Sequence, residues 1–432
     1  MTAVSHTGMS HHPALRSDNI TFAPGAGGGV SMGMMGLGLV LIIATLGIGF
    51  TSAGHMPLAH ALAAVHVGVM SVAAISIGAM FFLMVFHLTG AGWTATLRRQ
   101  FENVAAFLPF AWIGMAVLLG IELAKGGVQF AWLNTEHMQN PVLIAKSGFY
   151  YWPGKMQPGA LPLFFILRTL IYGAFWTFLV TRLRSLSLQQ DQTGDRALTA
   201  KAKFMCAWAL PLFALSIAFC AFDYLMSLDY SFFSTMWGVY YFAGAAFSGS
   251  AVVTLVLARL VKAGKVQGAV TSEHFHDMGK LMFSFTVFWA YISFCQYFLY
   301  WYANIPEETA FYVHRSGPGW KALGVFLMIG HFGLPFVYLV SRVIKKNVNL
   351  ISLACVWFII VHVADIFWIV RPMTYAAEGN DPGLSGIWLD LLGIGGMLLV
   401  FGGFLVKKVS SGVLVAVNDP YIEEGLEHRN YV

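Results

Sequence analysis

The stretch "AHALAAVHVGVMSVAAISIGAMFFLMVFH" (Ala59–His87) decides the fold. It contains no Asp, Glu, Lys or Arg from end to end. A helix needs about 20 mostly apolar residues to cross about 30 Å of hydrocarbon, so this block is long enough to span a bilayer. It is one of ten such blocks. The predicted spans are 30–53, 59–87, 102–123, 159–183, 204–226, 232–260, 279–302, 320–343, 350–371 and 385–406. Only 10% of the 432 residues are charged, which rules out a soluble reading. The fold class is an all-α integral membrane protein with ten transmembrane helices. A membrane domain over 30–408 is flanked by an N-terminal segment, 1–29, and a C-terminal tail, 409–432. Residues 1–29 are polar and lack the apolar core of a signal peptide. "PGAGGG" (Pro24–Gly29) reads as a flexible lead into the first helix.

The basic residues give a topology. Eighteen of the 25 Lys and Arg fall on the side of the two termini, among them Arg98, Arg99, Arg182, Arg184, Lys262, Lys265, Lys345, Lys346, Lys407 and Lys408. Six fall on the opposite side: Lys125, Lys146, Lys155, Arg315, Lys321 and Arg371. Short basic loops stay in the cytoplasm, so both termini are expected there. The net charge of +5 is spread over these loops and is no nucleic-acid signature. The four cysteines all lie within predicted spans, with no CxxC or CxxCH. Covalent haem and Cys-ligated iron–sulfur clusters are therefore not expected in this chain, nor any metal.

Outer loop 124–158 is rich in aromatics: Phe130, Trp132, Phe149, Tyr150, Tyr151 and Trp152. Loops 303–319 and 372–384 are also expected to be structured. Such aromatics suit an interfacial belt, or a surface that docks an extrinsic partner.

The sequence hints at duplication. "GAFWTFLVTRLR" (Gly173–Arg184) and "GLPFVYLVSRVI" (Gly333–Ile344) share Gly, Leu, Val and Arg at an offset of 160. The helices that follow each carry an aspartate, Asp223 and Asp365. A four-helix repeat keeps its orientation, so helices 2–5 (about 59–226) and 6–9 (232–371) are expected to form two bundles, with helices 1 and 10 peripheral.

An ionisable side chain at mid-bilayer costs about 2.5–3.5 kcal/mol, so it normally faces protein or water. Helix direction places His66, Glu122, Arg168, Asp223, His331, His362, Asp365 and Arg371 in the outer half or middle of the spans. These are the candidate residues of a proton path or polar cavity. His362 and Asp365 lie one turn apart, and a carboxylate beside a histidine is equipment for proton transfer. Arg168 is the expected partner of Asp223. The structural alternative is that Arg168 pairs with Glu122 or Asp223 simply to hold helices, while the histidines bond to backbone. On the cytoplasmic side, Glu102, His87, His274, His276, Asp277 and Lys280 read mostly as solvated loop ends; Asp277 and Lys280 are weaker candidates for an inner half-channel.

Three segments carry a resemblance. "FDYLMSLDYSFFSTMWGVYYFAG" (Phe222–Gly244), "DMGKLMFSFTVFWAYISFCQYFLYWYANIPEETAFYVHR" (Asp277–Arg315) and "DPYIEEGLEHRN" (Asp419–Asn430) resemble the smaller, F-type membrane subunit of bacterial alternative complex III, in the NrfD-like family. The resemblance is strong over helices 5–8 and extends to the rest by order and length. It implies a subunit of a respiratory quinol:cytochrome c oxidoreductase. Its partners would be a larger NrfD-like sister holding the quinol site, an iron–sulfur subunit, c-type cytochrome subunits, small membrane-anchored subunits, and lipids. The clusters and haems belong to those partners, and quinone would lie nearby. The chain itself would be a cofactor-free scaffold, with proton conduction as an added role. Two alternatives stay open: a quinone-binding catalytic subunit in its own right, and a secondary transporter.

Overall fold

The computed structural model describes residues 12–52, 56–374 and 383–430. Ten helices within them are long and apolar enough to cross a membrane: α1 (Gly28–Thr51), α2 (Pro57–Thr89), α3 (Arg98–Lys125), α4 (Leu163–Thr193), α5 (Ala197–Leu228), α6 (Trp237–Lys262), α7 (Ser272–Ala303), α8 (Gly319–Val340), α9 (Val348–Thr374) and α10 (Ile387–Ser410). The protein is an all-α, multi-pass membrane protein.

Several helices outrun the predicted spans. α4 continues to Thr193 and stops where Gly194 turns left-handed at φ 66°. α7 begins seven residues early, at Ser272, behind a capping box made by Thr271 and His274. Hydropathy reports only the apolar part of a helix; its ends are set by caps. Two helices are interrupted. α3 loosens at Ala106–Phe107, before Pro109. α8 widens into a π-helical turn over Met328–Gly333, which carries His331. Pro335 lacks an N–H, and its ring crowds the His331 carbonyl one turn back, so the regular ladder cannot continue there.

α2 and α6 form the centre and cross closely. A Cβ on Gly78 would lie 1.8 Å from the Ala245 carbonyl oxygen, and one on Gly249 would lie 2.6 Å from the Ala79 nitrogen. Small residues let backbones approach in this way where no hydrophobic drive exists between helices in lipid. α3 and α5 pack on α2, with α4 against α3 and α5; α7 and α9 pack on α6, with α8 against α7 and α9; the two groups meet across α2–α6, α5–α6 and α2–α9. α1 and α10 pack on one another and on α2, through Gly38 against Gly396 and Gly393 against Ala64.

The first and last described segments, 12–20 and 411–430, lie at one end, the terminal end. There the Val266 N–H donates to the Asn19 carbonyl (3.0 Å) and the Leu414 N–H to the Ile20 carbonyl (2.8 Å). The lead at Pro24–Gly27 is a hydrogen-bonded turn, with Gly28 N–H to Gly25 carbonyl at 3.1 Å. At the opposite, loop end, residues 126–162 fold into short turns and a helix, Pro141–Tyr151, and a second helix covers Pro306–Val313. Of the six aromatics singled out in the first loop, Phe130, Trp132, Tyr150 and Tyr151 are buried in the fold, and Trp152 is exposed. Trp132 stacks on Tyr150 at 4.1 Å. Most of that aromatic content therefore builds the loop rather than presenting a surface. In the loop after α9, residues 375–382 lie outside the described residues.

Candidate functional site

Each four-helix group buries one aspartate near the loop end, and the two are held differently. In the first group Asp223 of α5 is fully buried. Arg168 of α4 grips it with both arms, Nε to Oδ2 at 2.9 Å and Nη2 to Oδ1 at 2.7 Å. The Tyr172 hydroxyl, one turn along α4, donates to Oδ2 at 2.6 Å. The third guanidinium nitrogen donates to the Phe149 carbonyl (2.7 Å), while the Phe149 and Phe164 rings cover the cation at 4.0 and 4.5 Å. Such a fork is a geometric clamp. It joins α4, α5 and the loop helix.

In the second group Asp365 of α9 is 1% exposed. Its expected partner, His362, does not reach it. The Tyr240 hydroxyl of α6 and Trp289 Nε1 of α7 (3.1 Å) donate to it instead. His362 turns the other way, towards the Ser71 carbonyl of α2 at 3.4 Å, although one helical turn would have allowed the contact. The sequence pattern missed this because it counted only neighbours on one helix. His331, from the π turn of α8, is sandwiched between Trp289 (3.7 Å) and Phe247 (4.5 Å). Neither of its ring nitrogens has a hydrogen-bond partner among the described residues. Asp365, His331, His362, Tyr240 and Trp289 thus come together as one buried cluster, in which the hydrogen bonds to the carboxylate all come from neutral donors.

The offset of 160 explains the contrast. It puts Met328 in the place of Arg168 and Phe332 in that of Tyr172. At those places the second group carries neither the cation nor the phenol of the clamp. Its aspartate draws its donors from α6 and α7, helices on which the first group does not rely.

The remaining candidates are organisers. Glu122 does not meet Arg168; its carboxylate accepts the N–H groups of Val128 (2.7 Å), Gln129 (3.0 Å) and Phe130 (3.3 Å), and so fixes the turn after α3. His66 Nδ1 contacts the Gln129 side chain at 3.1 Å. Arg371 closes a three-helix knot at the loop end. Its Nε reaches Asp390 of α10 at 3.1 Å, and its Nη2 reaches Nδ1 of His60 (α2) at 3.2 Å, while His60 Nε2 donates to Asp390 at 2.8 Å. Asp390 and His60 escaped the sequence reading. The signal was there for Asp390, the lone acid of the tenth apolar block.

At the terminal end the expectation of solvated loop ends fails for most residues named. Glu102, His87, His274 and Asp277 are buried. The C-terminal tail covers His274 and Asp277. His428 donates to Asp277 at 2.5 Å, and the Asn430 amide bridges Glu273 (3.1 Å) and Asp277 (3.3 Å). Asp419 pairs with Arg98, and Arg99 sits between Glu102 and Asp191. Lys280 pairs with Asp277 and stays half exposed. Asp277 therefore lies beneath a strap of chain, with the half-exposed Lys280 at its edge.

Among the described residues no three His, Cys, Asp or Glu side chains converge as a metal site requires. No family model matches the chain, and no curated protein matches it.

Proposed function

We propose that this chain is an integral, cofactor-free subunit of a respiratory quinol:cytochrome c oxidoreductase of the alternative complex III type, seated in a bacterial inner membrane with both termini in the cytoplasm. It scaffolds the membrane core beside a larger NrfD-like sister, and its second bundle takes part in proton movement. Iron–sulfur clusters and c-type haems belong to its partners.

The observation that supports a proton role is the contrast between the two buried carboxylates. Asp223 faces a guanidinium, so a proton arriving there would break a bidentate ion pair. Asp365 meets only neutral donors, with two buried histidines in the same cluster. A proton can enter or leave that group without breaking an ion pair, which is what a relay needs. The three segments of resemblance support the respiratory assembly. A transporter is a poorer fit: matched repeats would break corresponding helices, but α8 is interrupted at Met328–Gly333 while its counterpart α4 runs unbroken over Leu163–Thr193.

The test is purification of the tagged chain from its native membrane in mild detergent. The expected product carries a second, larger membrane chain, c-type haem absorbance and iron–sulfur signals. A chain that comes out alone, with no haem, overturns the assignment.

A further inference from the structure

The upper part of the second bundle contains a cavity of about 780 Å³, whose inner wall includes Tyr240 and Trp289, the donors to Asp365. Its origin is visible in the packing. α7 lies against residues 328–346, but towards the loop end it stands off from Pro318–Leu327 of α8. The gap is lined on one side by Trp289, Ser293, Phe294, Gln296 and Tyr297 of α7. On the other side are Lys321, Gly324, Val325, Met328 and Phe332 of α8, which follow at helical spacing down one face. The eleven residue steps from Lys321 to Phe332 carry that wall about 16 Å into the membrane. Phe294, Tyr297, Val325 and Met328 are exposed, so the groove opens sideways to where lipid would be.

Its polarity is graded. Arg315, Ser316 and Lys321 line the loop end, and the deep end by Leu327, Met328 and Phe332 is apolar. The cation at the top is unusual. Arg315 is 3% exposed, and its nitrogens donate to three carbonyls: Nε to Trp368 (3.0 Å), Nη1 to Phe311 (2.6 Å) and Nη2 to Ile369 (2.6 Å). None of the described lining residues is a carboxylate. Among the described residues Asp229 is the one carboxylate that acts on Arg315; Ser231 and Phe232 take its Oδ1, and its Oδ2 has no hydrogen-bond partner. Burial pushes the guanidinium down to about 9, against the pull of Asp229. Two further lining groups, Trp368 Nε1 (a donor) and Gln296 Oε1 (an acceptor), are buried without a partner. A buried, incompletely balanced cation is costly, and an anion beside it restores the balance.

We propose that this groove is a binding site for an anionic phospholipid, with the phosphate at Arg315 and Lys321 and one acyl chain descending between α7 and α8 along Phe294, Val325 and Met328. The occupant is set by the gradient: an anion at the interfacial end, a chain below it, and a lateral opening through which a lipid enters without leaving its leaflet. The site does not depend on the respiratory reading, since any protein with this bundle would carry it.

The test uses the full chain, in whatever assembly it purifies with, reconstituted in phosphatidylcholine discs. These contain a trace of either phosphatidylglycerol or phosphatidylcholine carrying a photoreactive acyl chain. Cross-links are mapped by mass spectrometry. Phosphatidylglycerol should label residues 289–297 and 321–332 about tenfold more than phosphatidylcholine, which corresponds to about 1.4 kcal/mol. Lys321 is exposed, so Lys321→Glu should fold and should reduce that preference to near parity. Val325→Trp should block the groove and lower labelling by both lipids. Arg315 also braces three carbonyls, so its removal is a poorer probe. Equal labelling by the two lipids, a preference that survives Lys321→Glu, or labelling that ignores Val325→Trp would each overturn the proposal. So would a photoreactive quinone that labels these residues in preference to phosphatidylglycerol.

Discussion

Replacing Asp223 by Asn should destabilise the first bundle, and the structure sets the size of the effect. The substitution leaves Arg168 charged, 6% exposed, and with one of its two carboxylate oxygens exchanged for an amide donor that repels it. Removing one partner of a buried ion pair costs about 3–5 kcal/mol. The Asn side-chain oxygen still accepts one Arg168 N–H and returns about 1 kcal/mol of that. A net loss of about 2–4 kcal/mol follows, roughly a 30- to 1,000-fold shift towards the unfolded chain. The buried thiols of Cys206, Cys220 and Cys355 provide a readout, because a thiol-reactive dye reaches them only on unfolding. At about 2 °C per kcal/mol for a large domain, the midpoint should fall by about 4–8 °C. The decisive arm is the double variant. Replacing both partners of a buried pair by neutral groups is often close to neutral. Arg168→Met with Asp223→Asn should therefore recover most of the loss, all the more since Met328 stands at the equivalent place in the second bundle. A midpoint within 2 °C of the parent for Asp223→Asn alone, or a double variant no better than the single one, refutes the clamp as the source of stability.

Asp365→Asn should lower the unfolding midpoint less than Asp223→Asn, because it leaves no charge unpaired: the Asn oxygen can accept from Trp289 while its amide donates to the Tyr240 hydroxyl oxygen. In the intact assembly it should lower protons moved per electron; unchanged stoichiometry removes Asp365 from any relay. Glu122→Ala deprives three backbone N–H groups of their acceptor, so limited proteolysis should cut loop 126–162 faster than in the parent, and an identical digestion pattern would count against the anchor. Deleting residues 419–430 uncovers Arg98 and Asp277 together. It should reduce the folded chain recovered from membranes severalfold, whereas full recovery would show the strap to be dispensable. A periplasm-dependent reporter fused after residue 432 should be inactive, and an active one reverses the topology.

The number and order of the spanning helices were legible because hydrocarbon imposes one length on every crossing. The ends of those helices were less so. α4 runs ten residues past its predicted limit, since polar residues such as Gln189 and Gln190 continue a helix outside the lipid as readily as apolar ones do within it. The break in α8 was written at Pro335, but its form, a widened turn that delivers His331 into the core, depends on what α6 and α7 place around it. The burial of Asp277 could not be read from its own helix. It depends on His428 and Asn430, more than 150 residues away in the chain.

The charged residues divide by the same logic. The pairing of Arg168 with Asp223 was legible because both partners are scarce: a cation and an anion on consecutive antiparallel helices have few other places to go. The partner of Asp365 was not, because it is satisfied by aromatics, and a Tyr or Trp in an apolar helix carries no mark that separates a hydrogen-bond donor from a packing residue. That difference has a functional side. A clamp built from opposite charges fixes both protonation states, so it can be identified from charge alone and serves best as a joint. A site meant to change its proton count has to avoid a permanent countercharge, and must draw its donors from groups that stay neutral. The loss of Arg168's equivalent at Met328 removes the countercharge, while Tyr240 and Trp289 keep the carboxylate satisfied. If the two bundles descend from one, the second has been converted from joint to relay by a change on α8 and by donors recruited from α6 and α7. On this argument, Met328→Arg, on the wall of the groove that Tyr240 and Trp289 also line, should bring a cation towards Asp365. It should abolish proton coupling even though every residue of the cluster is still present.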